Sequence, residues 1–152
     1  MWRQWCLITI IILLVTGCGY SPLYSNKNNQ NINIEIVDYE GDKVVNSIIR
    51  SRLKVHKDNE NVKLFKTKIK TVYEKNDLTK NAAGNVEKYE LKVTTDFDIT
   101  RGEFNKIITI SEKFTMENFL DDFEERNYEK KIKENFAFSI YQKFILQILQ
   151  IK

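Results

Sequence analysis

The chain is poor in the residues that constrain chemistry and backbone most sharply: its 152 residues include two cysteines, one histidine, one proline and five glycines. A single histidine, His56, excludes a histidine-based metal set and leaves any nucleophile only one imidazole as its base. His56 falls at the polar end of a predicted helix, where a solvent-exposed ring is the expected state. The scarcity of proline and glycine excludes a collagen-like or low-complexity chain. An excess of one charge is lacking too. The 24 Lys and Arg against 21 Asp and Glu give a formal +3, too small and too interleaved with acids to be the footprint of a nucleic-acid binder. What is present, 42% hydrophobic and 12% aromatic residues, suffices for the core of one domain.

Long hydrophobic runs are missing except near the start. Arg3 precedes a stretch from Cys6 to Val15 that is apolar apart from Thr9, and Gly17 stands just before Cys18. Ten residues of helix rise ~15 Å, half of a bilayer's ~30 Å hydrocarbon core, so the run reads as a secretory leader in preference to a permanent span. The tetrad Val15-Thr16-Gly17-Cys18 resembles a bacterial lipobox. That resemblance implies cleavage before Cys18, diacylation of its thiol, and a further fatty acid such as palmitate on the freed amine. An ordinary signal peptide in which Cys18 is incidental is the alternative. On the lipobox reading, residues 1–17 are leader, 18–31 are the lipidated N-terminus and tether, and 32–152 form a single α+β domain. The mature chain then has no free thiol and no disulfide, and carries 23 basic against 21 acidic residues. Two or three acyl chains, at ~0.8 kcal/mol per buried methylene, make release from the membrane negligible. Gly19 stands where, by resemblance to enterobacterial sorting, an Asp would retain the protein in the inner membrane; the periplasmic face of the outer membrane is therefore expected.

Ser21-Pro22 sets a turn or an extended dipeptide, and Ser25 to Asn31 is almost wholly polar. From Ile32 the alternation Ile32, Ile34, Ile36 predicts a half-buried strand that ends at Gly41-Asp42. Val44, Val45, Ile48, Ile49 and Leu53 then predict an amphipathic helix of about four turns, capped by Asp42 and closed at Asp58-Asn59. A strand carrying Phe65, Thr67, Ile69, Thr71 and Tyr73 follows, with Lys75 to Lys88 as the loop of a long hairpin. Tyr89, Leu91, Val93, Thr95, Phe97 and Ile99 form the clearest period-two run. Thr100 to Glu103 turn, and Phe104 to Phe114 return as a strand. Asp121 to Gln150 is a long helix in which Ile132, Phe136, Ile140, Phe144 and Ile148 recur every four residues. The order β-α-β-β-β-α implies a two-layer α+β sandwich, a four-stranded sheet with two helices packed on one face.

The lipobox, the run Cys18-Gly19-Tyr20-Ser21-Pro22-Leu23-Tyr24, the position of Tyr89, the turn at Gly102 and this element order together resemble the LPS-assembly lipoprotein LptE family, particularly its alphaproteobacterial branch; Tyr20 replaces the aromatic usually written there as Phe. The resemblance implies a non-enzymatic protein without cofactor or metal. It implies a plug inside the lumen of the LptD outer-membrane β-barrel that assists the barrel's assembly and contacts lipopolysaccharide on its way to the outer leaflet. A lipid-anchored adaptor of another envelope complex and an envelope hydrolase are the rival readings.

Three groups of charge bear on ligand contact. Asp121-Asp122 and Glu124-Glu125 read as favourable charge at a helix N-terminus in preference to a catalytic or calcium site. Lys66, Lys68 and Lys70 share one strand face and could meet phosphates as point charges. If Phe65 pairs with Ile99 and Tyr73 with Leu91, however, Lys66 faces Asp98, Lys68 faces Asp96, and only Lys70 is left opposite an uncharged Thr94. Lys70, together with Arg101 and Lys106 around the exposed strand turn, is accordingly the candidate lipopolysaccharide contact.

Overall fold

Strand β1 (Asn33–Gly41) ends where the backbone must turn into a helix at close quarters with its neighbour. Gly41 has φ 99°, and a Cβ there would lie 1.7 Å from the carbonyl oxygen of Thr71, so only glycine fits. The next residue, Asp42, donates its N–H to that same carbonyl at 3.1 Å and accepts from the Val44 and Val45 amides with its side chain, both at 3.0 Å. The cap starts helix α1 (Lys43–Leu53), which runs three turns and tightens into a 3-10 turn over Lys54–His56. The computed structural model describes residues 32–57 and 64–151. The leader, Cys18, the tether and the Asp58-Asn59 helix end lie outside the described residues.

Strands β2 (Leu64–Lys80), β3 (Val86–Arg101) and β4 (Phe104–Glu117) follow, and the chain closes with helix α2 (Asp122–Leu149). The sheet order is β1-β2-β3-β4, with β1 parallel to β2 and the other pairs antiparallel. The predicted α+β sandwich is therefore the observed fold. One sheet face carries both helices: α1 rests on β1 and β2, α2 on β3 and β4, and the two helices touch each other. The odd-numbered residues of β3 from Leu91 to Ile99 are buried under this layer, joined by Phe65, Ile69, Ile108, Ile110 and Met116 and by Val45, Ile49, Leu53, Phe136, Ile140, Phe144 and Ile148 from the helices. Phe97 and Phe144 stack at 3.9 Å between centroids where sheet and helix meet.

Two expectations are corrected. The hairpin loop is far shorter than Lys75 to Lys88: both strands continue through it, with irregularities around Asp77 to Lys80, and the turn occupies 81–85. The register is consequently displaced by two residues. Thr67 pairs with Ile99 and Tyr73 with Val93, so Lys68 faces Asp98, Lys70 faces Asp96, and Lys66 is the one opposite a neutral residue, Thr100. A shift of two keeps every side chain on its face, which is why the apolar pattern could not distinguish the two registers. His56 is the second correction. It is 2% exposed, with Nε2 3.0 Å from the Tyr141 hydroxyl, because the 3-10 turn carries the ring in against α2.

Candidate functional site

Lys70 is not uncommitted. Strand β1, lying parallel on the far side of β2, brings Glu40 level with it, and the ammonium pairs with that carboxylate at 3.0 Å. The hydrogen bond to Glu40, then its charge, then Asp96, raise the Lys70 pKa against a small opposing effect of burial. The whole lysine stripe is flanked in this way: Glu35, Asp38 and Glu40 of β1 stand opposite Lys66, Lys68 and Lys70. Beyond it the same outer face continues as a polar ladder. Glu74 pairs with Lys92 at 3.3 Å, Glu90 with Lys113 at 3.1 Å and Lys88 with Glu117 at 2.9 Å, while Thr109 donates to Asp96 at 2.6 Å. This face is mainly polar, interleaves both signs of charge, exposes Val72 and Ile107, and is covered by no element among the described residues.

Arg101 and Lys106 occupy the other face. Gly102, at φ 62°, and Glu103 turn β3 into β4, so that Arg101 pairs with Phe104, and Ile99 with Lys106. Both cations thus stand on the helix side, two positions apart on adjacent strands. The Arg101 guanidinium lies over Phe65 at 4.8 Å and Phe104 at 5.7 Å, closing the end of the core. Lys106 is exposed. Lys70 is level with Asp96, five residues along β3 from Arg101 or about 17 Å, and on the opposite face. The fold therefore brings Arg101 and Lys106 together and leaves Lys70 apart.

At the opposite end of the sheet is an ionic cluster that the sequence reading missed. Lys75 donates to Glu125 at 2.5 Å and Glu129 at 3.1 Å, and Lys133 pairs with Asp42 at 3.0 Å while lying 3.6 Å from the Tyr73 ring centroid. Burial pushes the Glu129 carboxyl up, but Tyr73, Lys75 and Lys133 together outweigh it and hold the group below the ordinary carboxylate range. Burial, followed by Glu129, pushes the Tyr73 phenol well above its usual value. Lys75 is likewise held up, the pull of Glu125 and Glu129 exceeding the cost of burial. With two lysines shared among three carboxylates, the cluster fastens α2 to β2 and to the start of α1. The assignment of Lys75 to a loop concealed it; the available signal was the spacing of Glu125, Glu129 and Lys133 along one helix face. The adjacent acids behave as a helix start. Asp121 accepts from the Phe123 and Glu124 amides at 2.7 and 2.9 Å, and the Glu124 and Phe123 N–H groups hold its carboxyl below the usual range.

Among the described residues no three His, Cys, Asp or Glu side chains are grouped to hold a metal ion, and no helix is long and apolar enough to cross a membrane. No family model and no curated protein matches the sequence. The fold does match solved structures. Rare lipoprotein B from Shewanella oneidensis superimposes with a TM-score of 0.59 at 17% identity, covering 78% of this chain and 98% of that one. An uncharacterized lipoprotein B from Nitrosomonas europaea gives 0.50 at 17% identity, covering 72% and 79%. A minor lipoprotein from Acinetobacter baumannii gives 0.50 at 13% identity, covering 77% and 93%. The chain thus has the fold of these lipoproteins across the β-α-β-β-β-α domain.

Proposed function

We propose that this chain is an outer-membrane lipoprotein of the LptE type. It is anchored through acyl chains on Cys18, partners an LptD-like β-barrel as a plug, and assists lipopolysaccharide assembly and transport to the outer leaflet. The observation that carries the reading is the joint occurrence of the rare lipoprotein B fold, at 98% coverage of that chain, with a lipobox-like tetrad ahead of the domain. Rare lipoprotein B is LptE. The outer sheet face supports the plug: the lumen of a large outer-membrane barrel is polar, and a face made mainly of paired Lys, Asp, Glu, Ser and Thr, with Val72 and Ile107 among its exposed apolar residues, suits such a wall. On this reading the chain has no enzymatic activity and no cofactor, and its one imidazole, buried with Nε2 3.0 Å from the Tyr141 hydroxyl, has a packing role.

On this reading lipopolysaccharide is contacted by Arg101 and Lys106, a proposal supported by a guanidinium fork and an exposed ammonium sharing one end of the sheet. Lys70, already paired with Glu40, contributes less. The decisive experiment is co-purification from detergent-solubilised envelopes: the tagged chain should bring down a large outer-membrane β-barrel in a detergent-stable complex. Recovery of a different envelope complex would replace this reading with the adaptor one.

A further inference from the structure

The two edges of the sheet are treated differently. At β1 a register shift between Ile36 and Asp38 interrupts the pairing, and Glu35, Asp38 and Glu40 line the strand; bulges and charges of this kind discourage pairing with another strand. At β4 every residue from Phe104 to Glu117 pairs one-for-one with β3, with no shift. Its outer side has no strand partner among the described residues. It is a regular edge of 14 residues, about 46 Å long.

We infer that this edge pairs with the same edge of a second copy of the chain, antiparallel and centred on Thr109. The helix-side residues of β4 read Phe104, Lys106, Ile108, Ile110, Glu112, Phe114. Reversed about Thr109, they meet their own complement: Phe104 opposite Phe114, Lys106 opposite Glu112, and Ile108 opposite Ile110, each pair occurring twice. On the outer face Asn105 meets Lys113, Ile107 meets Ser111, and Thr109 meets itself. No like charges oppose each other. Sliding the copy by two residues either way puts Lys106 opposite Phe114 or Ile110 and Glu112 opposite Ile108 or Phe104. One register is therefore selected.

The side chains are available for it. Lys143 and Ser139 both bond Glu112 through Oε1, each at 2.6 Å, which leaves Oε2 for a second cation. Lys106 is exposed and in no ion pair among the described residues. Ile107 is 65% exposed and Phe114 39%. Ser139 fixes which side of α2 lies over this edge, and Leu146, seven residues on, repeats that side and is half exposed. Pairing would give an eight-stranded sheet about 34 Å wide, with four helices on one face and a mainly polar ladder on the other. The inference does not rest on the barrel reading, since it describes the chain with its own copy and not in a lumen.

Sedimentation of the full chain in detergent, with Lys106→Glu, Glu112→Lys and the double swap compared, tests it. The single variants, each still folded by circular dichroism, should weaken dimerisation at least tenfold, and the double swap should restore it to within about threefold. Independently, Thr109→Cys should cross-link to itself under mild oxidation, because a directly opposed antiparallel pair lies within disulfide reach. Asn105→Cys should not, its two copies being eight residues apart along the pair, or about 27 Å. The linked peptide identified by mass spectrometry separates this bond from any formed by Cys6 or Cys18. A chain that stays monomeric at hundreds of micromolar, equal cross-linking at positions 105 and 109, or a double swap that fails to restore the dimer would each overturn the inference.

Discussion

Asp42 divides its carboxylate between two helices: Oδ1 accepts the Val44 and Val45 amides that begin α1, and Oδ2 holds Lys133 of α2 at 3.0 Å, 91 residues away in sequence. Asp42→Asn keeps a capping oxygen and gives up the ion pair, whereas Asp42→Ala loses both. Removing a cap costs about 1 kcal/mol, and stranding the partner of a largely buried ion costs a few kcal/mol more. Denaturant titration should rank the wild type above Asp42→Asn and that above Asp42→Ala, with the alanine variant down by about 3 kcal/mol.

The neighbouring cluster sets a pH window. The folded-state pKa of Glu129 lies below its ordinary 4.5, so its contribution is fully present above that value and is lost as pH falls through the folded value. Lys75 and Tyr73 lie above their ordinary 10.5 and 10.0, so their contributions are present below those values and are lost as pH rises through the folded ones. Thermal stability should be flat between about pH 5.5 and 9 and fall on both sides. Glu129→Gln should flatten the acid limb; a variant with the wild-type acid limb would show that the carboxylate is not what acid titrates.

Glycine substitutions should separate a close approach from an open turn. Gly41→Ala places a methyl on the Thr71 carbonyl and should cost more than about 3 kcal/mol or prevent folding. Gly102→Ala, at φ 62° with nothing within 4 Å, should cost only about 1–2 kcal/mol, the backbone penalty alone. Melting temperatures of the two variants read the difference directly.

The phase of β3 predicts a contrast between adjacent residues. Phe97, fully buried against Phe144, should cost about 3–5 kcal/mol when truncated to alanine. Asp96, on the outer face with Thr109 as its donor, should cost less than about 1 kcal/mol. Equal losses in urea unfolding would contradict the assignment of faces.

The anchor makes a separate prediction. Cys18→Ala should leave an uncleaved or misprocessed precursor that takes up no radioactive fatty acid, whereas normal processing and labelling of that variant would end the lipobox reading.

In the sequence, residue type marked the capping Asp42 and a turn around Gly102, which the structure narrows from residues 100–103 to two. Periodicity determined the element order and the buried face of β3, because a strand alternates by two and a helix repeats by 3.6 whatever its partners are. It could not determine register, since Phe65 against Ile99 and Thr67 against Ile99 satisfy the same alternation. Nor could it foresee that β1 would lie parallel beside β2, a pairing between strands separated by a helix. That single tertiary fact supplied Glu40 to Lys70 and removed it from the candidate site. His56 and the Lys75 cluster were misread for a related reason: burial and ion pairing depend on what the distant helix α2 brings over them. Arg101 and Lys106 stayed together because their proximity is local, set by a turn of two residues. The tertiary structure alone decided which charges are matched, because a charge's partner is fixed by the packing of elements and not by its neighbours in the chain.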